Sequence, residues 1–389
     1  MKIPISKPYF GEEEKELIQK PLETGWVVQG PYVKEFEDKF TAYTGAKFGI
    51  ATTSCTTALH MALIAAGVEA GDEVIVPAFT WVSTANVVEM LMAKPVFADI
   101  DLKTFNIDPA EIERLITEKT KAIIPVSLFG LSADIDPVIE IAAKYSLKVI
   151  EDDACATGAF YKGLHAGTKV DMGCFSFHPR KAITTGEGGM VLTGDSDIDQ
   201  LLRSLRDHGA SASDFMRHYG PKSYLLPDFD IVGYNYRMTD FQGALGVAQM
   251  ERLEVILRER QRQASVYDNA FNSISWLSTP VVPDGYEHGY QSYVCLFDPQ
   301  TPSLGNITAM NKSRNEIMDH LEGLGIATRP GTQGVHLLGF YQNKYQLKPG
   351  DYPNAYFADQ LTISLPLFMG LTEEEQAYVI DALKKIKGI

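Results

Sequence analysis

From about residue 51 onward the chain alternates short apolar runs with helical stretches, and this alternation constrains the fold more than any other feature. Strand-like runs lie at 73–77, 95–100, 122–128, 148–152, 174–177 and 190–192. Helical stretches separate most of them, for example 109–118 and 135–145. Strands alternating with helices predict an α/β fold with a mainly parallel sheet covered on both faces. In such sheets ligands gather beyond the carboxyl ends of the strands. That rule brings Trp81, Asp152 and Ser176 into one neighbourhood, each at or just after a strand end.

The flanks read differently. A charged segment at 11–20 precedes T-G-W-V-V-Q-G-P, in which Trp26 and Val27 are expected in the core rather than at an interface or ligand mouth. The stretch A-T-T-S-C-T-T-A-L-H-M-A-L-I-A-A-G starts with small hydroxyl residues and becomes an apolar helix closed by Gly67. Residues 240–258 form an amphipathic helix with Phe241, Leu245, Ala248, Leu253, Ile256 and Leu257 on one face. Beyond it, strands are expected at 292–297 and 362–367. Helices are expected at 313–324, opened by a Ser313/Glu316 capping box, and at 372–385, opened by Thr372/Glu375. This predicts a large α/β domain over 1–250 and a smaller α+β domain over 251–389.

Composition excludes several classes of function. A formal net charge of −15 over 389 residues disfavours a surface for nucleic acid or anionic lipid. No run has the length of a signal-peptide core or a membrane span, so a cytoplasmic protein is expected. Cys55, Cys155, Cys174 and Cys295 form no C-x-x-C pair, which indicates neither a disulfide framework nor a zinc site, and no metal is expected.

The chemistry concentrates in D-M-G-C-F-S-F-H-P-R-K-A-I-T-T-G-E-G-G-M, residues 171–190. A short strand ends at Pro179, and Lys181 follows in a tight connection before a glycine-rich run. A lysine just past a strand end is most often a solvated loop charge. Beside buried acids and glycines it can instead lose its proton and attack a carbonyl to form a Schiff base. Three further pieces join it. Ser54-Cys55-Thr56-Thr57 opens a helix whose free N–H groups suit a phosphate, or is an ordinary helix cap. Asp152 ends the strand K-V-I-E-D, where a carboxylate can keep a pyridine nitrogen protonated or simply form a salt bridge. Trp81, in P-A-F-T-W-V-S-T-A-N, is placed to stack on a planar ring or to fill core. The order of phosphate turn, aromatic, acid and lysine converges on pyridoxal 5′-phosphate.

The stretches F-S-F-H-P-R-K-A-I-T-T-G-E-G-G-M-V, V-I-E-D-D-A, G-D-E-V-I-V-P-A-F-T-W and G-Y-N-Y-R-M-T-D resemble the DegT/DnrJ/EryC1/StrS family of sugar aminotransferases over essentially the whole length. The resemblance implies a fold type I pyridoxal-phosphate enzyme with a seven-stranded-type sheet. It implies Lys181 as the Schiff-base lysine, Asp152 as the partner of the pyridine nitrogen and Trp81 stacked on the ring. Ser176 and the Cys55-Thr56-Thr57 turn would hold the phosphate. Asn235 would reach the phosphate from the other subunit, which implies a homodimer with two shared active sites. The family's chemistry implies ping-pong transfer of an amino group from L-glutamate to a nucleotide-linked keto-deoxysugar, with a 4-keto-6-deoxyhexose favoured. His178, Arg329 and His336 are the substrate-side candidates. The chain departs from the family at Cys55, where glycine is usual, and at Cys155, where Gln, His or Glu is usual. It also departs in T-R-P-G-T-Q-G-V-H, where R-P-x-x-x-P-x-H is common. A thiol at 155 is a poor hydrogen-bond partner. Three rivals remain: a sugar dehydratase, in which histidine replaces the lysine; a cofactor-binding regulator without turnover; and a nicotinamide enzyme. No added DNA-binding or sensor domain is visible for the regulator, and the G-x-G-x-x-G fingerprint of the nicotinamide enzyme is absent.

Overall fold

The computed structural model describes residues 1–212, 220, 224 and 226–386, and it is built on seven strands of one sheet. These are β1 (Phe48–Thr52), β2 (Glu73–Pro77), β3 (Lys94–Ala98), β4 (Thr120–Ile123), β5 (Lys148–Asp152), β6 (Met172–Ser176) and β7 (Gly189–Thr193). Their order across the sheet is β1-β7-β6-β5-β4-β2-β3. The β2–β3, β2–β4, β4–β5 and β5–β6 pairs are parallel, and β7 runs antiparallel to both β6 and β1. The expected mainly parallel sheet is therefore present, with the runs at 73–77 and 148–152 at their expected bounds. The strand β1 was not expected, because F-G-I-A-T lies before the alternation begins and carries little hydrophobic bulk.

Helices cover both faces. Helix α1 (Pro31–Thr44), a second unexpected element, lies against β1 and across the later helix α6 (Asp240–Phe271). No side chain near Gly30 caps α1. Its cap comes from Asp240, whose Oδ1 accepts from the N–H groups of Gly30 (2.9 Å) and Val33 (3.0 Å). Glu37 on α1 then accepts from Ala51 N–H of β1 and pairs with Arg203 and Arg206 of α5 (Ser196–Arg206). Phe36 and Phe40 meet Phe177 and Phe175 edge-on at 4.8 and 5.1 Å, which puts the aromatic side of β6 on this face. The α1–α6 crossing is close. A Cβ on Gly243 would lie 2.5 Å from the backbone nitrogen of Val33, so only glycine admits this approach. The opposite face carries α2 (Cys55–Ala65), with Ala58 through Leu63 all buried and α3 (Ser83–Met90) beside it. Helix α4 (Ile135–Tyr145), at its expected bounds, packs on β4 and β5 through Ile135, Val138 and Ala142.

Helix α6 is longer than its expected span and carries the chain into a three-stranded antiparallel sheet of β8 (Leu277–Ser278), β9 (Tyr293–Phe297) and β10 (Thr362–Leu365). Of its expected apolar face, Ala248, Leu253, Ile256 and Leu257 are buried, while Phe241 and Leu245 are half-buried. The expected boundary at 250 falls inside this helix. Helix α7 (Ile307–Gly323) begins six residues before Ser313, with Asn306 at its N-cap, so the Ser313/Glu316 pair lies in mid-helix and caps nothing. The final helix, α9 (Glu373–Lys384) after α8 (Pro353–Leu361), has the expected Thr372/Glu375 box. The 109–118 stretch is helical only over Pro109–Ile112, continuing as a short 3-10 turn. Trp26 is half-buried, while Val27 and Val28 are 39 and 43 % exposed, so this segment is not core. No helix among the described residues is long and apolar enough to cross a membrane.

Candidate active site

The site forms where β5 and β6 end beside the start of α2. Asp152 is the last residue of β5, buried and directed to the α2 side. Its Oδ2 accepts from Thr84 Oγ at 2.7 Å, and Oδ1 accepts from Ala154 N–H at 3.2 Å. Burial pushes its carboxyl up from the ordinary range, and the Thr84 and Ala154 donors and the nearby Lys181 ammonium pull it back down. Thr84 is a member that sequence reasoning missed. Its signal is its position on the first turn of α3, three residues past Trp81, where Thr80 Oγ also reaches it at 3.1 Å.

Lys181 follows β6 in the connection to β7. Its N–H donates to His178 O at 2.8 Å, which tightens the turn after Pro179. The ε-amine is half-buried and donates to Cys155 Sγ at 3.1 Å. The position three residues after Asp152 therefore touches the lysine itself. Cys55 Sγ lies 3.9 Å from Asp152 Oδ1 and 3.4 Å from Cys174 O. Burial raises the Cys55 thiol well above its usual value, so it stays protonated and inert.

The start of α2 is a working cap as well as a candidate anion site. Thr57 N–H donates to Ser54 Oγ and Thr57 Oγ to Ser54 O, which occupies that threonine in the capping box. This leaves the N–H groups of Cys55 and Thr56 and the Thr56 hydroxyl for a ligand, together with the helix dipole. The turn sits tightly on the sheet, since a Cβ on Gly189 of β7 would lie 2.4 Å from the backbone of Ser54. Ser176 ends β6 opposite Gly189, buried, with its Oγ accepting from His178 N–H at 3.4 Å. Trp81 is 61 % exposed at the mouth, which excludes a core role.

The outlying candidates divide. His178 is half-buried, held toward neutrality by burial, and its Nδ1 accepts from Arg180 N–H. Asn235 is exposed on the segment leading into α6. Gln333–Gly334 pairs with Phe79–Thr80, which brings the 329–336 segment beside Trp81. Arg329 in that segment is exposed and bridges Ser364 through its backbone. His336 differs from expectation. It is completely buried against Tyr352, with ring centroids 5.1 Å apart, so it lies behind the site and not on its surface.

These residues fit pyridoxal phosphate on structural grounds. A buried carboxylate lies within electrostatic reach of a lysine amine, free N–H groups open a helix next to it, and an exposed indole stands at the mouth. The chain is 38% identical over 387 residues to GDP-perosamine synthase of Caulobacter vibrioides, covering 99% of this chain and 98% of that one. It is 37% identical over 385 residues to the spore coat polysaccharide biosynthesis protein SpsC of Bacillus subtilis, covering 99% and 97%. A candidate sugar aminotransferase from Streptococcus pneumoniae, solved in its PLP form, superposes with a TM-score of 0.89 at 29% identity, covering all of both chains. The sequence profile of one family matches residues 8–384. The protein therefore belongs to the DegT/DnrJ/EryC1/StrS aminotransferase family and is a pyridoxal-phosphate-dependent sugar aminotransferase.

Proposed function

We propose that the protein transfers an amino group from L-glutamate to a nucleotide-linked keto-deoxysugar, with a 4-keto-6-deoxyhexose as acceptor. The observation that carries this reading is the buried Asp152 at the carboxyl end of the sheet, within electrostatic reach of the Lys181 amine, which itself lies 3.1 Å from Cys155 Sγ. Asp152 would hold the pyridine nitrogen in its protonated form. Ser176, Thr56 and the N–H groups opening α2 would hold the phosphate, with Asn235 of a second copy completing the cradle in a homodimer. When bound, the cofactor supplies an electron sink that acidifies the donor's α-proton. Lys181 Nζ takes that proton and later delivers one to the sugar carbon that gains nitrogen. Trp81 would stack on the ring, and His178 and Arg329 would contact the sugar. In this reading the cofactor sits on 1–250, and 251–389 contributes the sugar-side segment, with α6 as the strut across the boundary.

Support for a sugar acceptor comes from the relatives named for perosamine synthesis and spore coat polysaccharide, while L-glutamate as donor is what the family resemblance implies. The four unpaired cysteines suit a reducing cytoplasm, and the acidic charge suits a soluble enzyme without a nucleic-acid partner. The test is the visible absorption of the holoenzyme with and without L-glutamate, beside Lys181→Ala. Glutamate should bleach the yellow band, and a 4-keto-6-deoxyhexose nucleotide should restore it with a product heavier by one amino-for-oxo exchange. The variant should do neither. A band that no amino donor bleaches would overturn the aminotransferase reading of this site.

A further inference from the structure

Arg260 lies on α6, 79 residues from Lys181, and is buried. Its Nη1 donates to the carbonyls of Tyr290 and Gln291, both at 3.0 Å. Its Nη2 reaches the main-chain carbonyl of Lys181 at 3.4 Å. Among the described residues no carboxylate pairs with it, and Nε has no partner. Burial alone depresses this guanidinium to about 10. A buried cation without a counter-ion is costly, and an apolar residue of the same length would fill the space more cheaply. Its acceptors are three carbonyls from two distant segments, and only a rigid fork of N–H donors can join them.

The two segments are themselves constrained. Tyr290 holds φ at 44°, which a bulky side chain rarely adopts. Its N–H donates to His288 Nδ1 at 2.8 Å, and the two rings stack at 4.0 Å. Gly289 N–H donates to Gly130 O, and Ser292 N–H to Phe129 O, which pins the turn to the large sheet's loops. The same turn grips the lysine loop a second time, since Gln291 Nε2 donates to Arg180 O at 3.0 Å. Immediately after it, β9 begins. Two successive carbonyls, of Arg180 and Lys181, are thus held from the side of the C-terminal sheet.

We propose that Arg260 is a positioning residue for Lys181, clamping the lysine's main-chain carbonyl to the 288–292 turn and so fixing where the ε-amine can reach. A lysine that carries a proton between two carbons must swing its side chain while its backbone stays still. The clamp supplies the still end. It also ties the lysine's position to the start of β9, so that movement of the C-terminal sheet is felt at the amine. The inference rests on the reading of Lys181 as the reacting lysine.

The experiment compares holoenzymes of the wild type, Arg260→Met, Arg260→Lys, Gln291→Met and Lys181→Ala. The first readouts are the circular dichroism and pH titration of the visible cofactor band, which need no amino donor. The second is the donor half-reaction with protiated and α-deuterated L-glutamate. Arg260→Met is expected to retain cofactor but to change the dichroism and the titration midpoint. Its half-reaction should slow about 100-fold, the scale of a misplacement near 1 Å, with a larger isotope effect and a smaller change in KM. Arg260→Lys should recover part of the loss, and Gln291→Met should show the same signs more weakly. If Arg260→Met does not fold, the other two decide. Wild-type dichroism and titration in the folded Arg260 variants and in Gln291→Met would overturn the clamp. Turnover by Lys181→Ala would instead overturn the underlying assignment, whatever the Arg260 variants do.

Discussion

At the scale of single residues, three consecutive acids show how a strand's alternation separates chemistry from its electrical background. Asp152 faces α2 and the lysine, whereas Glu151 and Asp153 point to the other face of the sheet. Ser127 Oγ and Gly167 N–H donate to Glu151, but neither oxygen of Asp153 has a donor. Burial pushes both carboxyls up, Asp153 well above the usual range, and the neighbouring Glu151 charge raises Asp153 further. One proton held between the two carboxyls is the expected state at neutral pH. Their folded values exceed the unfolded ones near 4, so the stability they contribute is whole only below about pH 4 and is lost as pH rises through the folded values. Asparagine at 153 would donate to Glu151 with no proton to lose. Asp153→Asn should be more stable than wild type at pH 7 by about 1–2 kcal/mol in urea unfolding, with a flatter dependence on pH. Equal slopes in the two proteins would refute the shared proton. Trp81, Asp152 and Ser176 were legible in the sequence because the strand-end rule needs only strand positions, whereas Lys181 needed its glycine-rich and acidic neighbourhood. Thr84 and Arg260 were not legible, since each meets its partner across 68 or 79 residues with no local signature.

Helices and strands were legible where their signals were local. The strands at 73–77 and 148–152 and the helix at 135–145 carry their own periodicity and bounds. Helix α1 does not, because the side chain that caps its start is Asp240, 210 residues from Gly30. Its packing also hides in α6, where Gly243 and Gly246 look like helix weaknesses and are in fact the crossing point. A Cβ on Gly246 would meet the Phe36 ring at 2.8 Å, and one on Gly243 would meet backbone atoms of Tyr32 and Val33. Helix propensity alone favours Gly243→Ala by up to about 1 kcal/mol. Backbone cannot yield as a side chain can, so overpacking should win, with a net loss of about 1–3 kcal/mol. Gly323→Ala is the control, at the end of α7 with nothing within 4 Å of its Cβ, and should be neutral or stabilising. Denaturant midpoints decide between the two terms. A stabilised Gly243→Ala would show that α1 and α6 part easily.

Over the whole molecule, the segment leading into α6 stands out for its exposed apolar side chains. Leu226 and Val232 are 91 and 86 % exposed, and Phe229 lies between them at 57 %. On a chain of net charge −15 such a run of exposed apolar side chains is out of place on free surface. Asn235 follows it directly, exposed, and makes a backbone bridge to Asp207. A two-fold contact through this run would bury the apolar residues and carry each Asn235 to the phosphate end of the other copy's site. Complementation tests the exchange without any structure of the assembly. Lys181→Ala should be inactive, and Asn235→Ala should bind the cofactor weakly. In a mixed dimer, one site combines both substitutions while the other has wild-type Lys181 from one copy and wild-type Asn235 from its partner. After unfolding and refolding at equal amounts, half the dimers are mixed and half of their sites are intact. The mixture should then regain roughly a quarter of the wild-type rate at low cofactor concentration. If Asn235 serves the site of its own chain, the mixed dimers hold no intact site and the mixture stays at the average of its two parents. A charge placed in the apolar run, Val232→Asp, should abolish the regained rate together with the dimer in sedimentation. Loss of the dimer with no loss of cofactor affinity would separate assembly from the site.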